Sequence, residues 1–436
     1  MRDSPTAAAG EHQNASPGKP RLGLLAGTAL YVGAVLGPGV MVLPALAAEA
    51  AGPASLVAWL VLLFFSVPVA ATFAALGARH PDGGGVATFV TRAFGPRWAV
   101  PVGWWFFAAV PVGVLSGALV GGNYVAATLG RGPGTALWVA MVILAAAFAT
   151  NYAGLRLTGR VQLVMVVVLA VFLLVTVAVS APAARLENFT PFAPHGWMAV
   201  GAAATVLFYA FSGWEAASHL SAEFSDPRRQ LPHATALTLA LVCVLYLTLA
   251  VTTIAVLGDR AAGTAVPLSL LLEVTLGPGG RTVTAVAALV LSLVAVNTYL
   301  AGGARLGAAL GRDGAMPRAL AKGAGVGDVP RRSLTVHLAL CLIAGVVATA
   351  SETDLDTLMR TTSACLAAVS FAGMAAALRL LPTRTVTWYG ALGGLVFTGL
   401  VLVFCGELLL VPLVLGAGAL LWPGPRRITR PQEFGS

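Results

Sequence analysis

Charge is what this sequence has least of. Only 10% of its 436 residues are Asp, Glu, Lys or Arg, while 58% are hydrophobic. A soluble globular chain carries nearer a quarter charged, so the polar surface needed to keep this one in water is missing. Cysteine is also scarce. Cys243, Cys341, Cys365 and Cys405 all fall in apolar runs and form no CxxC pair, which reads as small buried hydrophobes rather than a metal or redox site. The six histidines are scattered and no HExxH occurs. With no clustered nucleophile and base either, the sequence does not read as an enzyme and calls for no cofactor or metal. The absence of a P-loop speaks against an ATP-driven pump, and the absence of a repeated filter against a channel. A membrane sensor or receptor stays open as the reading from another class, although no soluble output domain is attached.

What the chain has in abundance is long apolar runs. About 20 helical residues cross a roughly 30 Å hydrocarbon layer. Twelve candidate spans follow, at 24–48, 52–78, 97–127, 135–152, 158–180, 196–220, 233–257, 282–304, 333–350, 356–380, 388–404 and 408–422. The last two are short and close enough to be misread as one. Residues 262–276 are apolar but short, and are expected as an interfacial helix on the outer side. With the N-terminus in the cytoplasm, 21 of the 26 Lys and Arg fall in cytoplasmic segments, as the positive-inside rule requires. Both termini are then cytoplasmic. The net charge of +9 is explained by basic loops facing anionic lipid and implies no nucleic acid. Residues 1–20 are polar and rich in Pro, Gly and Ala, as in disordered segments. The first span is longer than a secretory signal core, and no cleavable leader is expected. The terminal Glu-Phe-Gly-Ser resembles residues left by cloning.

The first span breaks its own helix. Gly33, Gly37, Pro38 and Gly39 stand near mid-depth. Pro38 has no N–H and disfavours helix at Gly37. A helix interrupted in lipid frees backbone groups that only protein, water or ligand can satisfy. A half-helix starting near Gly39 aims its free N–H groups and positive end inward, which suits a carboxylate. A plain glycine packing face with a kink is the alternative. The sixth span has a second weak point at Ser212-Gly213, followed by Glu215 and, four residues on, His219. An ionised glutamate costs roughly 2.5–3.5 kcal/mol in lipid, so Glu215 must face protein or water. It serves either as a hydrogen-bond acceptor for exposed N–H groups or as a proton carrier. His219 lies near the cytoplasmic end, with a structural or a gating role. Breaks five spans apart match transporters built from two inverted five-helix halves.

Four stretches now carry a resemblance to the amino acid–polyamine–organocation permeases, over residues 22–422. They are "LGPGVMVLPA" at the first break, "ARHPDGGGVATFVTRAFGP" between the second and third spans, "FYAFSGWEAASHLSAEFSDPRRQLPHA" through the sixth, and "ARLGAALGRDGAMP" after the eighth. Within that family "GVMVLPALAAEAAG", "GGGVATFV", "WWFFAAVPVGV" and "GWEAASHLSAEF" resemble bacterial exporters of L-methionine and branched-chain amino acids. The resemblance implies an all-α LeuT-like 5+5 inverted-repeat fold with about 12 transmembrane helices in a bacterial inner membrane. The expected division is a cytoplasmic segment at 1–20, halves at 21–180 and 190–380, two further helices at 385–424, and a cytoplasmic tail at 425–436.

The resemblance also implies a site. Gly37, Pro38, Gly39 and Val40 would surround the substrate carboxylate. Pro38 stands where the family usually has a small or polar residue and removes one donor, leaving the Gly39 and Val40 N–H groups. Carbonyls near Ala34 and at 208–211 would receive the amino group. Phe208, Phe211 and Trp214, with Phe106, Phe107 and Val110 from the third span, are expected as an apolar wall. Such a wall discriminates single methylenes by only about 1–3 kcal/mol, so Met, Leu, Ile and Val would share it. No acid lies at the centre of the first span to hold a basic side chain. The expected function is secondary active export of neutral apolar L-amino acids, driven by H+, with uptake or exchange and Na+ coupling as alternatives. The fifth span has no lysine of the kind some proton-coupled relatives use. Ser292, Asn297 and Thr298 of the eighth span, and Asn123 of the third, are candidates for ion binding or for helix packing. Arg79, Glu223, Asp226, Arg312 and Asp313 are candidates for a cytoplasmic gate, or else solvated charges. The partners expected are the amino acid and the lipid bilayer, in a monomer or weak dimer.

Overall fold

The computed structural model describes residues 23–80, 85–154, 159–211, 213–215, 224–323 and 328–423. Among them there is no strand-built sheet, and nine helices are long and apolar enough to cross a membrane. The other three expected spans are the first, which is interrupted, the sixth, which is described only as far as Glu215, and the twelfth, which runs Gly406–Leu421. Residues that would be hidden in a soluble protein face outward all round the bundle. Trp138 keeps 75% of its surface exposed, Phe64 69% and Val346 69%, which suits contact with lipid tails rather than water.

The first span comes apart as its composition demands. Helix α1 (Leu24–Val35) stops short of the Gly37-Pro38 pair, a single 3-10 turn covers Pro38–Met41, and α2 (Leu43–Ala51) resumes with Pro44 in its first turn, where a missing N–H costs nothing. Gly52, at φ +59, turns the chain into α3 (Ser55–Arg79). Beyond the undescribed residues 81–84 comes a short helix α4 (Gly85–Phe94). Arg379 reaches across to α4, donating to the Ala93 carbonyl at 3.2 Å with its guanidinium 4.6 Å from the Phe94 ring centre.

The third, fourth and fifth spans are α5 (Pro96–Thr128), α6 (Pro133–Tyr152) and α7 (Gly159–Ser180). The sixth begins as α8 (Ala199–Phe211), and Gly213, at φ +149, takes a conformation that side chains rarely adopt. Then come α9 (Pro227–Leu257), the short α10 (Pro267–Leu276), α11 (Gly279–Arg312), α12 (Arg331–Ala350), α13 (Leu355–Leu380), α14 (Val386–Phe404) and α15 (Leu410–Leu421). The two final spans are therefore separate helices. The interfacial segment expected at 262–276 is the helix α10, which buries Leu268, Leu271 and Leu272 against α11 and α7.

At the centre, α5 and α11 lie along each other. Their seam is cut from glycines. A Cβ on Gly103 would fall 2.5 Å from Leu310, one on Gly303 2.7 Å from Val110, and one on Gly307 2.4 Å from Phe107. With lipid as apolar as leucine, such close approach and its dispersion contacts hold membrane helices together. Asn297 does the polar counterpart one layer away. Its side-chain oxygen accepts from Thr150 and from Asn151, each at 2.7 Å, joining α11 to α6.

Candidate functional site

The two interruptions meet on one cavity. The empty space around it, open mouth included, is about 640 Å³. From the first span it is lined by Val35, Gly37, Pro38, Gly39 and Val40, and from the sixth by Tyr209, Ala210, Gly213 and Glu215. Phe106, Val110 and Gly113 come from α5, Tyr246 from α9, Tyr299 from α11, and Thr362 and Leu366 from α13. The wall is mostly apolar or aromatic, and among the described residues it contains one carboxyl side chain, that of Glu215.

The backbone at the first break is economical. The Val40 N–H is spent inside the turn on the Gly37 carbonyl at 3.3 Å, and the Gly37 N–H on Val35 at 3.0 Å. Pro38 has none. The Gly39 N–H forms no hydrogen bond among the described residues, so the donor set expected from Gly39 and Val40 reduces to Gly39. The site also explains why position 39 is glycine. A Cβ there would lie 2.8 Å from the Tyr209 ring, whereas Gly37 has nothing within 4 Å. Gly117 makes room for Pro38 in the same way, at 3.2 Å from its ring.

Tyrosine hydroxyls tie the unwound pieces to their surroundings. Tyr246 lies 2.9 Å from the Val35 carbonyl and 3.4 Å from that of Ala210, touching both interrupted spans. Tyr124 donates to the Met41 carbonyl at 2.8 Å and accepts from the Leu268 N–H of α10 at 3.2 Å. Tyr209 donates to the Gly113 carbonyl at 3.0 Å, beside Ser116. In the sixth span a side chain does the equivalent work, since Glu215 Oε2 accepts from the Gly213 N–H at 3.2 Å. Glu215 is 2% exposed and lines the cavity.

Several expected residues stand elsewhere. Phe208 is buried toward Phe397 of α14, and Phe211 packs edge-on against Trp59 and Tyr246. Trp214 is buried and does not line the cavity. Phe107 fills the Gly307 notch with its ring centre 4.3 Å from that of His337. These four, expected in the wall, do not line this cavity; Phe107, Phe208 and Phe211 face other aromatic rings instead. Ala34 contributes no described side chain, and the nearby carbonyl at the cavity is that of Val35. Ser292, Asn297, Thr298 and Asn123 do not line it. Asn297 is helix-to-helix packing, Thr298 bonds the Val294 carbonyl of its own helix at 2.9 Å, and Ser292 is buried where Gly121 lacks a side chain.

The expected gate is not assembled from its described members. Asp226 caps α9 and pairs locally with Arg229 at 3.8 Å, and Arg312 pairs with its neighbour Asp313 at 3.3 Å. Both pairs are exposed, where ion pairs are worth little. Arg79 forms no ion pair among the described residues. His219 and Glu223 lie outside the described residues. At the same end Arg92 donates to His80 Nδ1 at 2.6 Å, and partial burial, then the Arg92 and Arg79 charges, hold the His80 pKa below its ordinary value.

Residues missed from the sequence are Tyr209, Tyr246, Tyr299, Thr362 and Leu366. For the tyrosines a signal existed, since a phenol in mid-span needs a partner for its hydroxyl. Arg360 is a further case. It sits in α13 bound to Asp356 and to the Ala202 carbonyl at 2.7 Å and Thr205, fastening α13 to the half-helix α8. The paired tryptophans of "WWFFAAVPVGV" are fasteners too. Trp104 donates to Ala315 at 2.8 Å and Trp105 to Pro412 at 2.6 Å.

The amino acid permease family model matches residues 22–427. An uncharacterized amino acid permease of Bacillus subtilis, YecA, is 34% identical over 394 residues, covering 90% of this chain and 92% of that one. The L-methionine/branched-chain amino acid exporter YjeH of Escherichia coli is 30% identical over 416 residues, 93% and 96% of the two chains. Among solved structures, a manganese transporter of Eremococcus coleocola superposes with a TM-score of 0.58 over 91% of this chain and 92% of that one. At 14% identity that likeness speaks to the fold alone, the LeuT-like 5+5 transporter architecture.

Proposed function

Because the chain belongs to the amino acid permease family, we propose that it is a secondary active transporter of neutral apolar L-amino acids, working by alternating access. The observation that carries this is the meeting of two interrupted helices on a cavity with an open Gly39 N–H, two nearby carbonyls and a largely apolar wall. A zwitterion needs a donor for its carboxylate and acceptors for its ammonium. An apolar side chain needs Phe106, Val110 and Leu366. The wall discriminates neighbouring aliphatic side chains by only about 1–3 kcal/mol, which favours methionine, leucine, isoleucine and valine as one class. The likeness to YjeH points the same way and favours export. Glu215, the one carboxyl on the cavity among the described residues, is the group we assign to proton coupling. In this reading the protein lies in the bacterial inner membrane with both termini in the cytoplasm.

The test is transport by purified protein in sealed vesicles. Radiolabelled methionine or leucine is expected to move when a pH gradient is imposed, and not when a sodium gradient of the same size replaces it. Movement under sodium alone transfers the coupling to Na+. No movement of any amino acid under either gradient overturns the reading.

A further inference from the structure

The corner where the two breaks approach each other holds three oxygens: the Val35 carbonyl, the Ala210 carbonyl and the Tyr246 hydroxyl. All three residues line the cavity. Two carbonyls and one phenol offer about six lone pairs. Among the described residues the Gly37 N–H donates to the Val35 carbonyl at 3.0 Å, and the phenol's single hydrogen faces both carbonyls. A phenol has one hydrogen, so at 2.9 Å from Val35 and 3.4 Å from Ala210 it serves one carbonyl at a time. Its oxygen then keeps lone pairs of its own. An acceptor-rich, donor-poor corner is the complement of a group with three N–H bonds and a positive charge.

The ring that carries this hydroxyl is held on two sides. Trp59 lies edge-on at 5.3 Å between ring centres and Phe211 at 5.5 Å. Tyr246 is buried to within 1% of its surface. Its oxygen is therefore fixed by packing from α3, α8 and α9 before any ligand arrives, which spares the ordering cost at binding. The Gly39 N–H, at the next turn of the first span, provides the opposite pole.

Resting on the transport reading above, we propose that Tyr246 of the seventh span completes the ammonium subsite and determines specificity for a free α-amino group. Its hydroxyl oxygen accepts one ammonium hydrogen while the Val35 and Ala210 carbonyls take the others, and it holds those two carbonyls at the separation the ammonium needs. N-acylated and des-amino analogues leave the corner unfilled and are rejected.

The experiment compares Tyr246→Phe with Tyr124→Phe. Tyr124 also bridges the first break, through Met41, but does not line the cavity. Binding to protein in detergent is measured by competition, with L-leucine and with 4-methylpentanoate, its des-amino analogue. Melting temperature is measured without ligand. Hydrogen bonds to charged groups are worth enough that Tyr246→Phe is expected to weaken L-leucine binding about tenfold or more. It should leave 4-methylpentanoate unchanged, so that the preference for leucine shrinks. Tyr124→Phe is expected to lower the melting temperature without altering that preference. If Tyr246→Phe leaves leucine binding intact, or weakens both ligands equally, the subsite is overturned and Tyr246 is only a structural tie. If the unaltered protein binds no amino acid at all, the transport reading itself fails, and this inference with it.

Discussion

In the first span the break leaves carbonyls to satisfy, and they are met from outside by the phenols of Tyr124 and Tyr246 on other helices. In the sixth span the break leaves an N–H to satisfy, and it is met from within, two residues on, by Glu215. The difference follows from proline. Pro38 deletes one donor at the first break and a tight 3-10 turn consumes others, so acceptors are in excess there. Gly213 deletes nothing, and its N–H needs an acceptor close by. One interruption is thus a property of the assembled bundle and the other is mostly local, which is why only the second was announced by a charged residue beside it.

The largest expected effect comes from filling the first break. Gly39→Leu drives a side chain into the Tyr209 ring and displaces the Gly39 N–H. Transport is expected to fall about 100-fold or more, as misplacement by an ångström does elsewhere, while the purified protein stays monodisperse. Full activity in this variant would remove the first break from the site. Next is Glu215→Gln. The amide oxygen still accepts from Gly213, so folding should be retained, but the driving effect of a pH gradient should disappear. An unchanged pH profile would leave the residue with its structural bond alone. A smaller effect, on stability, is expected for Arg360→Met. It strips the partly buried Asp356 of its partner and removes the side-chain ties from α13 to the half-helix α8, at about 1–3 kcal/mol, the range for leaving a charged group without its hydrogen bonds. Thermal unfolding in detergent reads it, and an unshifted transition would mean that α8 is held by packing alone.

The smallest effect lies at the rim, far from either break. Burial and the neighbouring arginines lower the His80 pKa, so the unfolded chain binds a proton there before the folded one does. Stability from this site is present above the ordinary histidine value of about 6.5 and is lost as pH falls through it. Melting curves of the unaltered protein and His80→Gln should therefore converge or cross below that pH and run parallel above it. Parallel curves throughout would show that His80 titrates alike in the folded and the unfolded chain.

Much of the fold was legible because hydropathy and helix breaking are local. The third span was expected at 97–127 and runs Pro96–Thr128, and the ninth was expected at 333–350 and runs Arg331–Ala350. Both interruptions fall where Pro38 and Gly213 put them. The site was legible in part. Gly37, Pro38, Gly39, Val40, Phe106, Val110 and Glu215 face the cavity. Phe107, Phe208, Phe211 and Trp214 instead pack into the bundle, and the cavity tyrosines went unnoticed. The gate pairs dissolved into local contacts because charges at a wet rim bind whatever is adjacent.

By itself the sequence determined a membrane-spanning helical chain and the two places where its helices come apart. Only the tertiary structure decided which side chains look inward. In a soluble helix the apolar face marks the core, but in this bundle apolar residues cover the lipid side and the protein side alike. Rotation about each helix axis is then set by glycine notches, aromatic contacts and hydroxyl ties that join residues far apart in the chain, such as Tyr246 with Val35 and Gly103 with Leu310.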